Sequence, residues 1–138
     1  AAFTAPKDMT FYTVGGHMHL RGKSISQHLR LPDSDEEILM LDIPDYDFDW
    51  QFTYPFVEPW SVPKGSKVIM RSVHDNSEEN PNNPDPTKDV KWGLYSGDEM
   101  AFTGGSYTFD DEQLGITPHA LAEADRARLD QREKASTD

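Results

Sequence analysis

KSISQHLRL, residues 23–31, alternates in character: Ile25, Gln27, Leu29 and Leu31 fall on one parity, Ser24, Ser26, His28 and Arg30 on the other. A period of two sends successive side chains to opposite faces of a strand, so this stretch reads as a strand with one buried and one wet face. Segments of the same kind run outward from it. From Met9 to about Phe109 short β-branched or aromatic runs are broken by Pro, Gly, Asn and Asp, and the expected strands are Met9–His19, Lys23–Leu31, Glu37–Ile43, Tyr46–Tyr54, Ser66–Asp75 and Glu99–Phe109. Many short strands separated by turn signals predict an all-β fold, a jelly-roll β-sandwich. LPDSDEE, residues 31–37, reads as a hairpin loop, and HDNSEENPNNPDPTKD, residues 74–89, with its three prolines and four asparagines, as a surface loop whose Asn and Asp side chains satisfy turn amides.

A chain of 138 residues has room for one core. The division expected is a sandwich domain over 1–112 and a tail over 113–138. In the tail Thr117 can cap a helix, Pro118 fits its first turn, and HALAEADRARLDQREK (119–134) is rich in helix formers but poor in large apolar residues, which predicts a short charged C-terminal helix, either solvated or docked on a neighbouring domain. The formal charge of −12 argues against binding to nucleic acid or anionic membranes, since phosphates are held by clustered Lys and Arg. No apolar run approaches the roughly 20 residues of a membrane span, and the first residues lack the basic start and apolar stretch of an intact signal peptide. Zero cysteines removes disulfides, thiolate metal sites and thiol nucleophiles together.

Chemistry concentrates in GGHMHLRGK, residues 15–23. On a strand His17 and His19 point to one face and Met18 to the other, with Cα atoms roughly 6.6 Å apart, a gap that two imidazoles can close onto one ion. Gly15 and Gly16 suit a bulge or a close backbone approach beside such a site. Two ordinary surface histidines fit the same spacing, and two ligands leave the metal undecided. The other nitrogen and soft donors are His28, His74, His119 and the methionines Met9, Met18, Met40, Met70 and Met100, and a mixed imidazole and thioether site selects copper over zinc.

Four blocks in order, GGHMHLRGKSI (15–25), YDFDWQFTY (46–54), VHDNSEENPNNPDP (73–86) and VKWGLYSGDEM (90–100), resemble the C-terminal domain of the copper type II, ascorbate-dependent monooxygenases, nearest the bacterial multi-domain branch. That family includes peptidylglycine α-hydroxylating and dopamine β-monooxygenases. The resemblance implies a jelly roll holding one copper through the two histidines of an H-x-H strand and one methionine, here His17, His19 and Met100, which are also the catalytic residues it implies. It further implies hydroxylation of a C–H bond with dioxygen and electrons from ascorbate, a partner in the form of an N-terminal second copper domain or another electron donor, a small-molecule or peptide substrate, and a secreted, extracellular or periplasmic setting. A copper-binding or carrier module without turnover is the alternative. The amidating members grip a peptide carboxylate with an Arg two residues before the first histidine and with an Asn and a Tyr two and four residues after the methionine; here those positions are Gly15, Phe102 and Gly104, so peptide amidation is not implied.

Other residues carry weaker signals. DYDFDW (45–50), read as strand, sets Asp45, Asp47 and Asp49 on one face, solvated or around a cation, and Tyr46, Phe48 and Trp50 on a core face. His74 shares parity with Val68, Met70 and Ser72 and is read as a hydrogen-bond partner or extra ligand near the pocket, or as a plain half-buried histidine. Arg21 and Lys23 either steer an anionic substrate or reductant or are surface charges. Trp50, Trp60 and Trp92 are assigned to core and rim packing.

Overall fold

The computed structural model describes residues 1–112, which form eight strands: β1 (Ala2–Thr4), β2 (Met9–Met18), β3 (Gly22–Arg30), β4 (Glu37–Ile43), β5 (Thr53–Val62), β6 (Lys67–His74), β7 (Ala101–Gly104) and β8 (Tyr107–Phe109). The helix expected in 113–138 lies outside the described residues. One antiparallel sheet has the order β1-β6-β3-β4; the other has β5-β2-β7, with β8 also paired to β2. The all-β sandwich expected from the alternation is the fold found, and no helix among the described residues is long and apolar enough to cross a membrane.

Two clusters fill the space between the sheets. Met9, Phe11, Val62, Leu29, Met40 and Val68 meet at one end, with Phe56, Trp60 and Phe109 against them. At the other end Met18, Ile25 and Tyr46 pack with Ile43, Phe48, Met70 and Ala101. Of the row predicted to face inward, Ile25, Gln27 and Leu29 are buried, with Gln27 donating from Nε2 to Met40 Sδ, whereas Leu31 lies past the end of β3 and is exposed.

β2 spans both clusters and changes parity between them. Its register with β5 jumps from Phe11↔Trp60 to Thr13↔Pro55, so Tyr12 alone stands opposite residues 56–59 of β5. Such a bulge adds residues to one strand and turns the rest of the ladder over. Met9 and Phe11 face the core before it; Val14 and Met18 do so after it. Gly16 lies in this second inward row, where a Cβ would come within 2.9 Å of Ile25 Cγ2, so the close approach expected of the glycine pair is real although the bulge lies elsewhere.

Two strand assignments need correction, and most of β5 lies outside the expected strands. Residues 45–52 are bends and turns, and the strand begins at Thr53. Asp47 Oδ1 accepts the Asp49 N–H at 2.8 Å and the Asp47 carbonyl accepts the Trp50 N–H at 3.1 Å, so local side-chain bonding displaces the ladder and no three-aspartate face forms. Tyr46 is buried and Phe48 packs on the second cluster, but Trp50 is 64 % exposed. β5 itself contains Pro55 and Pro59, which an edge strand tolerates because its outer N–H groups face solvent. The single strand expected over Glu99–Phe109 is two, β7 and β8, both on β2 and separated at Gly105 and Ser106.

Past Gly15↔Thr53 the end of β2 has no strand on the β5 side. The Tyr46 phenol takes that place: its hydroxyl accepts the Met18 N–H at 2.9 Å and donates to the Met18 carbonyl at 2.8 Å. Burial pushes its pKa up from 10.0, so it stays a donor across the physiological range. The chain then turns between sheets through a Gly22 N–H bond to the His19 carbonyl at 2.8 Å. A Cβ at Gly22 would sit 2.7 Å from Met18 Cβ and 2.8 Å from Tyr46 Cδ1. Tyr46→Phe strips Met18 of both bonds inside the core, and we expect it to lower unfolding free energy by about 1–3 kcal/mol in urea melts; an unchanged midpoint would show that the phenol adds nothing.

Candidate functional site

With Met18 turned into the core, His17 and the adjoining His19 project from the outer face of the second sheet. Their rings meet edge to face, centroids 5.1 Å apart at 87°. His19 is 6 % exposed and His17 is half-buried. Each Nδ1 is engaged by a carbonyl-type oxygen. His17 Nδ1 donates to Gln51 Oε1 at 2.6 Å, and the Gln51 amide is oriented by its own Nε2 bond to the Phe48 carbonyl at 2.5 Å. His19 Nδ1 donates to the Asp98 carbonyl at 3.3 Å. Because those oxygens only accept, the neutral rings carry their proton at Nδ1 and keep the Nε2 lone pair for a ligand.

The third expected residue, Met100, immediately precedes β7, which is paired to β2 by Gly15↔Gly104, Gly16↔Thr103, His17↔Phe102 and Met18↔Ala101. The ladder stops at Met18↔Ala101, with His19 just past the end of β2 and half-buried Met100 just before the start of β7. Opposed residues of an antiparallel pair share a face, as the Phe102 ring 5.0 Å from that of His17 illustrates. Two residues far apart in sequence, His19 and Met100, thus flank the last paired positions of β2 and β7. Among the described residues no three side chains drawn from His, Cys, Asp and Glu come together, so His74 does not join the pair. It ends β6 opposite Gly22, and its buried Nε2 has no hydrogen-bond partner among the described residues. His28 faces outward on β3 and meets Arg71 at 3.2 Å; His119 lies outside the described residues.

Arg21 is neither a steering charge nor a surface one. It is 3 % exposed, with Nε donating to Asn76 Oδ1 at 2.7 Å and Nη1 to the Gly97 carbonyl at 2.6 Å. One guanidinium therefore ties the Asn-rich loop to the loop whose Asp98 holds His19, a role that nothing local in the sequence marks. Lys23 is exposed and pairs with Asp75 at 3.1 Å. Within residues 75–87 the expected side-chain turns recur: Asp75 to the Ser77 N–H, Asn80 to that of Asn82, Asn83 to that of Asp85, and Asp85 to that of Thr87.

Beside His17 lies an open groove of about 300 Å³, with Gly15, Gly104, Phe52, Phe102 and Gln51 among its walls. The three positions that depart from the amidating members, Gly15, Phe102 and Gly104, all line it. Gln51 was not singled out from the sequence, because only folding brings it to His17. Comparison of the chain with protein-family models and with curated proteins finds no match. The likeness to the copper monooxygenases rests on the residues themselves.

The Asn-rich loop should be acid-sensitive. Hydrogen bonds from Ser77, then Lys23, lower the Asp75 pKa to about 2, and Thr87 and Lys88 do the same for Asp85. A depressed carboxylate pKa contributes stability above its unfolded value of 3.8, and that contribution is lost as pH falls through about 2. Amide protection factors in residues 76–87 should therefore fall between pH 4 and pH 2, before those of the β3 core; equal protection across that window would contradict the assignment.

Proposed function

We propose that this chain is the mononuclear copper-binding, oxygen-activating domain of a copper type II, ascorbate-dependent monooxygenase, working on a C–H bond of its substrate. The observation that carries the reading is the histidine pair, two imidazoles whose Nδ1 atoms are engaged by Gln51 and Asp98, with half-buried Met100 immediately before the strand that pairs with β2. Two nitrogens and a thioether suit copper, and Cu(I) in particular, better than zinc or a hard cation. Bound there, copper would supply activation of dioxygen with electrons from ascorbate, delivered through an N-terminal second copper domain or another donor. The residues of this chain do the rest. His17 and His19 present Nε2; Gln51 and the Asp98 carbonyl keep the rings turned and hold a proton at Nδ1; Phe102 shields one side of His17; the groove offers a substrate a place beside it. That groove favours the monooxygenase over a carrier, which needs no substrate space. An extracellular or periplasmic location belongs to the same proposal.

Copper titration with EPR tests it. About one copper per chain, a type II Cu(II) spectrum and ascorbate-driven oxygen or peroxide turnover are expected. Gln51→Leu should weaken copper by about 10–100-fold. Met100→Leu should weaken Cu(I) by about tenfold or more while changing Cu(II) far less. Equal loss in both oxidation states removes the thioether from the site, tight copper without turnover identifies a carrier, and absence of saturable binding leaves a purely structural sandwich.

A further inference from the structure

Gly104 has no structural reason to be glycine. It is the last residue of β7, is not in the left-handed region, and a Cβ built on it would meet no atom within 4 Å. Its strand neighbours differ in this respect: a Cβ on Gly15 would press to 3.0 Å from the Phe52 carbonyl, and one on Gly105 would collide with the Thr13 carbonyl. Glycine within a strand costs stability, and where neither turn nor packing demands it, the bare backbone marks a place that something else approaches. The open space over Gly104 is the groove beside His17.

We infer that this groove is a binding site for an uncharged small molecule with an aromatic face. Gly15 and Gly104 are directly paired, which leaves a patch of sheet without side chains. Phe52 and Phe102 flank it, 50 % and 53 % exposed, a large apolar surface to leave in water on a chain this polar. Both rings are braced: Phe52 lies 4.7 Å from Trp50, Phe102 5.0 Å from His17. A flat apolar floor between two held rings suits a planar group that stacks on one and meets the edge of the other. No Lys, Arg, Asp or Glu lines the groove, whose polar side chains are Thr53 and the mutually bonded Gln51 and His17, so no formal charge there offsets the desolvation of an ionic group. The protein's net charge of −12 further disfavours anions. At about 300 Å³ the groove is at the small end of ligand sites, room for one ring and a short substituent. As the seat of a substrate it rests on the copper reading; as a binding site it does not.

The test uses the full metal-free chain, 15N-labelled, titrated with benzamide and with its anionic counterpart benzoate. Benzamide should shift the amide signals of Gly15, Gly104 and Gly105 saturably, with a dissociation constant on the order of millimolar, and benzoate should bind at least about tenfold more weakly. Gly104→Leu, which fills the groove, should lose the benzamide response while signals elsewhere hold; Gly104→Ala, the milder variant, should weaken it severalfold. Unmoved glycine signals, benzoate binding as well as benzamide, or Gly104→Leu responding like the parent would each overturn the inference. Benzamide binding by a chain that takes no copper sinks the copper reading and leaves the groove standing; copper binding with no benzamide response does the reverse.

Discussion

Two hydrogen bonds from one phenol hold the end of β2 in place, and the outward pair of histidines depends on them. β5 gives out opposite Gly15, yet β2 runs on to Met18. Without Tyr46 the Met18 amide and carbonyl would be buried unpaired, at a cost of about 1–3 kcal/mol. With it, Met18 is locked inward, and its neighbours on either side must face out together. The orientation of the pair is thus set by backbone bonding of the residue between the two histidines.

A second constraint comes from charge. Arg21 is buried two residues after His19, and it is satisfied by oxygens from two loops, each far from it in sequence. Removing such a partner strands a buried cation, so the loops are bound to this end of the sandwich more firmly than their Pro and Asn content suggests. Since the Asp98 carbonyl that orients His19 adjoins Gly97, the guanidinium also fixes the ring, and with it the segment that leads into Met100.

Much of the fold was legible because it obeys simple periodicity. Residues 23–30 alternate with one buried face, and the strand is there. DYDFDW alternates as well, and it misleads: Asp47 bonds the amide two residues on, a local choice that competes with pairing and that period alone cannot reveal. Pro55 and Pro59 hide a strand that exists only because it lies at an edge. Of the site, the histidine pair is readable from spacing, and Met100 only from resemblance, since strand register is a property of the folded sheet. Gln51 and Arg21 act through partners 34 and 55 residues away, which no local pattern encodes.

Extended X-ray absorption at the copper edge of the reduced, copper-loaded chain addresses the central claim most directly. The account predicts two imidazole nitrogens and one sulfur around the metal, the sulfur disappearing in Met100→Leu. A first shell of nitrogen and oxygen alone in the parent chain would contradict it.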